Sequence, residues 1–96
     1  MQKKKSRDRM KDVSLDQLRY IVTAADCGSM RAAAKTLIVR PSTLSRSIGQ
    51  FEKATSIIVF KRSREGLIPF PAGERVIEMA RSVLKEIAAF SATTSA

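Results

Sequence analysis

Apolar residues between Ser14 and Lys53 recur three and four positions apart in three short runs, each bounded by turn residues. That spacing predicts three helices. The first covers Ser14 to Asp26, with Leu15, Leu18, Val22 and Ala25 on one side and Ile21 beside them. Ser14 is placed to cap it, with Gln17 three residues on as the partner of a capping box. Cys27-Gly28 ends it, because glycine suits the left-handed position after a helix. Ser29 then caps a second helix, Met30 to Leu37. Its inner stripe is Met30, Ala33, Ala34 and Leu37; Arg31 and Lys35 face outward, and its small alanines allow another helix to approach closely. Ile38-Val39-Arg40 forms a turn. Pro41 opens the third helix, where its missing N–H costs nothing. That helix runs to about Lys53, buries Leu44, Ile48 and Phe51, and presents Ser42, Ser45, Arg46 and Gly49 on the opposite side.

The period then changes. Ile57-Ile58-Val59-Phe60 is β-branched and aromatic, which predicts a strand. Lys61 to Gly66 reads as a polar turn. Leu67-Ile68 returns as a short edge strand, limited by Pro69 and Pro71. The result is a hairpin with a basic tip, the shape of a wing. Ala72 to about Phe90 is the last and longest helix. Val76, Ala80, Val83, Ile87 and Phe90 follow a 4-3-4-3 spacing, the seam of a coiled coil, and Ile77 and Leu84 widen that face. Such a helix extends about 28 Å at 1.5 Å per residue, further than a core this small needs. The expected organisation is an arm at 1–12, a mainly α winged helix-turn-helix at 13–70, a linker or dimerisation helix at 71–91, and a small polar tail at 92–96.

Charge sharpens this picture. Residues 30–64 carry eight Lys and Arg against a single acid, Glu52, a net +7. Residues 1–12 add a net +4, whereas 65–96 stand at −1. One end of the molecule is therefore basic and the other near neutral, which points to a docking face for a polyanion. Residues 1–12 read as a flexible, solvated arm, with contact to phosphate or a minor groove as the alternative.

Other features narrow the class. One cysteine, Cys27, allows no intrachain disulfide, so a reduced, cytoplasmic setting is expected. The absence of histidine removes the common metal and acid–base arrangements, and no convergent acid pair offers another. Neither enzyme activity, cofactor, metal nor small molecule is expected of this segment. No apolar run approaches the roughly 18 residues of a membrane span. The charges of the first twelve residues are followed by no apolar stretch, so they do not read as a signal peptide.

Two helices joined by a tight turn, the second carrying short polar groups around one long base, fit the major groove of duplex DNA. Small side chains at Ser42, Ser45 and Gly49 keep the backbone close to the base edges. Arg46 suits either a fork onto guanine O6 and N7 or a phosphate clamp. The start of the third helix adds free N–H groups and a positive dipole end.

These stretches resemble one family closely. Leu15-Asp16-Gln17-Leu18-Arg19-Tyr20, Gly28-Ser29-Met30 with Ala33-Ala34 and Leu37, Val39, Leu44-Ser45-Arg46, Ile48, Phe51-Glu52, Phe60-Lys61-Arg62 and Pro71-Ala72-Gly73 follow the N-terminal domain of LysR-type transcriptional regulators. The likeness spans Ser14 to Ile87, about three quarters of the chain, in one register. It implies a bacterial transcription factor that binds a palindromic operator as a homodimer. The third helix would read the major groove, the wing would lie on the backbone or minor groove, and the last helix would pair two domains. Arg40, Pro41, Ser42, Thr43, Ser45, Arg46 and Gln50 would then lie at DNA, with Arg62 and Arg64 of the wing near phosphate. Ser29 and Arg31 are further phosphate candidates. Val76, Ala80, Val83, Leu84, Ile87 and Phe90 would carry the dimer contact.

The chain departs from the family in places. Arg40-Pro41 stands where Ser-Gln is usual, which removes a capping serine and a base-reading side chain. Thr55-Ser56 replaces Leu-Gly, implying a looser turn. Phe70 replaces a threonine, removing a cap from the last helix. The effector-binding domain that normally follows has no counterpart in these residues, so the chain reads as a fragment or as a stand-alone form. Alternative readings are a winged-helix repressor of the molybdate-responsive type, a general basic nucleic-acid or RNA binder, or a protein–protein module on the last helix. One Tyr and four Phe are few for a single-strand binder that stacks bases.

Overall fold

The Ser14 capping box forms. The Gln17 N–H donates to the Ser14 hydroxyl oxygen at 3.2 Å, and the Ser14 N–H donates to Gln17 Oε1 at 3.0 Å. Helix α1 (Leu15–Cys27) starts there and stops at Gly28, whose φ of 66° turns the chain while its N–H donates to the Ala24 carbonyl at 2.9 Å. The computed structural model describes residues 13–95, so the arm expected at 1–12 lies outside the described residues, as does Ala96.

Ser29 caps α2 (Met30–Leu37) by accepting the Ala32 N–H at 3.2 Å. The helix closes at Ile38, a β-branched residue held at φ 57°, and the Val39 N–H reaches back to the Ala34 carbonyl at 3.0 Å. This left-handed step sets the turn into α3 (Pro41–Thr55). Ile21, Ala24, Ala33, Ala34, Leu44, Ile48 and Phe51 from the three helices meet in one core. Val59, Phe60 and Ile77 close it from later elements.

Helix α3 runs two residues past the expected end. Thr55 then ties the following turn: its hydroxyl donates to the Phe51 carbonyl at 2.8 Å and accepts the Ile57 N–H at 3.3 Å. The turn at Thr55-Ser56 is thus fastened by a side chain, contrary to the looseness expected. Ser56 still pays for the missing glycine with a φ of 60°.

The wing differs from its expected limits. Strands β1 (Phe60–Ser63) and β2 (Gly66–Pro69) pair antiparallel, Phe60 opposite Pro69 and Ser63 opposite Gly66, around a two-residue loop of Arg64 and Glu65. Ile57–Val59, expected as part of the strand, is an irregular connection instead, and pairing starts only at Phe60. Val59 is fully buried, and its N–H donates to the Glu52 carboxylate at 2.8 Å rather than to a neighbouring strand. Only Val59 of this run is buried, Ile58 being 56% exposed, while the basic residues Lys61 and Arg62 lie within the paired strand.

Helix α4 (Pro71–Ser95) begins where the Phe70 carbonyl accepts the Glu74 N–H at 2.9 Å; the phenyl ring at this position has no oxygen to cap it. It continues to Ser95, so the expected polar tail is helical. Alanines favour this, and Thr93 and Thr94 bond back to the carbonyls of Ala89 and Ser91 at 2.9 and 3.1 Å. At 1.5 Å per residue the helix is about 37 Å long. Two features fix its course. Gly73 is buried flat against Val59, where any side chain would overlap the Val59 carbonyl. Arg81 grips Asp26 of α1 with both guanidinium arms, at 2.5 and 3.3 Å. The hydrogen bond from Arg81 holds the Asp26 carboxyl below its usual range. The whole is the mainly α winged helix-turn-helix that the sequence predicts.

Candidate nucleic-acid interface

The 3.6-residue period of α3 separates two faces. Leu44, Ile48 and Phe51 are buried. Ser42, Arg46, Gln50 and Lys53 are exposed on the other side, with Ser45 and Gly49 half-buried among them. A Cβ on Gly49 would meet nothing within 4 Å. Nothing in the fold therefore requires glycine there, although glycine inside a helix costs roughly 0.5–1 kcal/mol relative to alanine. The face is low near its middle and flanked by long polar side chains.

The entry to α3 follows from Arg40-Pro41. Arg40 occupies the cap position and no side chain caps the helix. Pro41, Ser42 and Thr43 are exposed in the first turn. The positive end of the helix dipole is left open beside the exposed Arg40. Arg31 is exposed in the first turn of α2, whereas the Ser29 oxygen is engaged by its own helix, leaving the hydroxyl hydrogen to donate outward.

In the wing, Arg64 sits at the two-residue tip and Arg62 lies within β1 opposite Leu67, not in a turn as the sequence suggested. Both are exposed, as is Lys61. Ser63 shapes the tip: its hydroxyl accepts the Glu65 N–H at 3.2 Å and donates to the Gly66 carbonyl at 3.1 Å. Sequence reasoning overlooked Ser63, although serine ahead of a tight turn is itself a signal. Lys53, eleven residues or about three turns after Ser42, lies exposed on the same face of α3.

The expected seam of α4 divides. Ala80 is 1% exposed and Ile77 is buried, so both serve the chain's own core; Val76 packs on its margin and Leu84 is half-buried. Ala80 is therefore not available to a partner as expected. Met79, which the seam omitted, is 68% exposed and aligns with Val83, Ile87 and Phe90, the last 67% exposed. One helix carries two adjacent apolar stripes. The stripe at 73, 77, 80 and 84 faces inward, and the stripe at 79, 83, 87 and 90 faces out. Among the described residues no helix is long and apolar enough to cross a membrane.

Residues 15–74 match the family model described as bacterial regulatory helix-turn-helix protein, lysR family. The chain is 38% identical over 74 residues to the uncharacterized HTH-type transcriptional regulator YkuM of Bacillus subtilis, covering 77% of this chain and 25% of that protein. The chain thus spans about a quarter of the length of such relatives. Among solved structures, the complex of the CbnR DNA-binding domain with DNA superposes with a TM-score of 0.78 at 32% identity, covering 86% of this chain and 94% of that one. The complex of the BenM DNA-binding domain with catB site 1 DNA gives 0.84 at 25% identity, covering 86% and 93%.

Proposed function

Because the chain belongs to the lysR family of bacterial regulatory helix-turn-helix proteins, we propose that it is the domain with which a transcriptional regulator reads duplex DNA in the bacterial cytoplasm, and that it carries no enzymatic activity. Helix α3 enters the major groove. Ser42, Ser45 and Gly49 permit close approach, and Arg46 and Gln50 reach base edges. Arg40, with the first-turn N–H groups of Pro41's successors Ser42 and Thr43, takes phosphate at the groove edge. Ser29 and Arg31 at the start of α2, and Arg62 and Arg64 of the wing, hold the backbone on either side. Two copies pair through α4 and meet a palindromic operator.

The observation that carries this reading is the form of the α3 face. It is exposed, polar, and indented at a glycine the fold does not need, and the wing that follows it in the chain exposes further bases. The same architecture holds DNA in the CbnR and BenM complexes. Duplexes selected from a random pool against the 96-residue chain test it. A selected duplex is expected to outcompete random duplex at least about a thousandfold at fixed salt, with single strands no better than random duplex. Equal affinity for all three would leave only a general polyanion binder.

A further inference from the structure

The one acid in the basic stretch 30–64 does not face outward with the bases. Glu52 leaves α3 near its C-terminal end and its Oε2 accepts the Val59 N–H at 2.8 Å. Val59 is the residue on which three elements converge. Its N–H is held by α3, and its carbonyl accepts the Phe70 N–H at 2.9 Å, just beyond β2. Its backbone is covered by Gly73 of α4, where no side chain fits, and its own side chain is fully buried. The next residue, Phe60, starts the wing.

We infer that Glu52 is a positioning residue for DNA binding: through Val59 it fixes the wing relative to the recognition helix. This rests on the reading of α3 and the wing as the two DNA-contacting elements. The hairpin itself is moored elsewhere, by the Leu67 N–H on the Gly28 carbonyl and by packing on α1 and α4. Glu52 supplies a direct, charge-assisted bond from α3 to the residue that leads into β1. A helix in the groove and a hairpin on the backbone engage the same duplex only if their separation is set before binding, since a misplaced wing forfeits its phosphate contacts. A carboxylate within a basic surface otherwise repels the polyanion. Here its charge is spent on an N–H of the protein, and its position at the far end of α3 keeps it from the helix's entry into the groove.

The test uses the full chain with Glu52→Ala, Glu52→Asp and Glu52→Gln, and a duplex selected as above. Glu52→Gln keeps an acceptor of the same reach and should bind within about twofold of the parent. Glu52→Ala should bind about tenfold more weakly, with the dependence of log K on log salt reduced by about one to two units, the loss of one or two phosphate contacts. Added to a chain already carrying Arg62→Ala and Arg64→Ala, it should cause little further loss. The relative preference for bases read by α3 should be unchanged. The Val59 amide should also exchange with solvent faster in Glu52→Ala. If that variant is unfolded, Glu52→Asp, one methylene too short, carries the same expectations. A folded Glu52→Ala or Glu52→Asp chain with the parental salt slope overturns the inference while Arg62→Ala still lowers it. A parent chain that shows no duplex preference overturns the DNA reading and the inference with it.

Discussion

The carbonyl oxygen of Gly28 lies so close to Gly66 that a methyl group on residue 66 would overlap it, and the same oxygen accepts the Leu67 N–H at 3.0 Å. The end of α1 and the return strand of the wing are therefore joined backbone to backbone. Gly66 also holds a φ of 124°, which side chains rarely adopt. Both conditions oppose Gly66→Ala. That substitution is expected to cost about 1–3 kcal/mol of stability. An unchanged urea midpoint would contradict the contact.

Ile38 presents the opposite case. It is 90% exposed, so its side chain contributes almost no burial, yet it is held at φ 57°. A left-handed conformation costs an L-residue roughly 1–2 kcal/mol, and more for a β-branched one. Asparagine tolerates this geometry far better. Ile38→Asn is expected to raise stability by up to about 1 kcal/mol, read as a higher Tm. A lower Tm would show that Ile38 is held by something other than the turn.

These two residues also mark what the sequence discloses. The capping box of Ser14 and Gln17, the stop at Gly28 and the cap at Ser29 depend on neighbours three or four residues away, so they are legible from local pattern. The two faces of α3 are legible for the same reason. The start of the wing is not. Ile57–Val59 resembles a strand because it is β-branched throughout, but only Val59 is buried, and the group that takes the Val59 N–H is a side chain seven residues back on a helix. The seam of α4 misleads similarly. Its two apolar stripes lie about one residue's rotation apart, and periodicity cannot say which one faces inward. That is decided by Gly73 against Val59 and by Arg81 on Asp26, contacts between segments far apart in the chain. The role of Thr55 depends on the folded turn, because its hydroxyl bonds backbone groups on both sides of the helix end.

Gly49 separates stability from binding. A Cβ there meets no protein atom, so Gly49→Ala should stabilise the free chain by about 0.5–1 kcal/mol through helix propensity. On the proposed docking, the same methyl group stands between α3 and the groove. The selected duplex should then bind more weakly although the protein is more stable. Higher stability with unchanged affinity would move Gly49 away from the DNA.

Arg46 and the wing arginines should fail in different ways. Arg46 projects from the middle of the exposed face of α3, and Arg46→Ala is expected to cost about 1–3 kcal/mol against the selected duplex while relaxing preference at one base pair. Arg62→Ala or Arg64→Ala should weaken selected and random duplex alike and lower the salt slope by about one unit each. Binding curves on both duplexes across a salt series distinguish the patterns. A base-specific loss at Arg64 or a purely uniform loss at Arg46 would reverse the assignment.

Dimerisation through α4 is tested best by comparing its two stripes. Met79, Val83, Ile87 and Phe90 lie in water in the single chain and follow one side of a helix that outruns the core. A stripe of this kind is rarely left exposed in a monomer. Pairing two such helices buries it and sets two copies of α3 on one side, matching half-sites about 34 Å apart. Val83→Asp and Ile87→Asp should therefore leave the helical signal intact but shift the mass to that of a monomer in sedimentation equilibrium at micromolar concentration. Ala80→Asp should behave otherwise, because Ala80 is 1% exposed and belongs to the chain's own core. It should unfold the domain, since an unpaired charge there has no partner and no water. A parent chain that sediments as a monomer, or a dimer untouched by both Val83→Asp and Ile87→Asp, would rule out the outer stripe as the pairing surface.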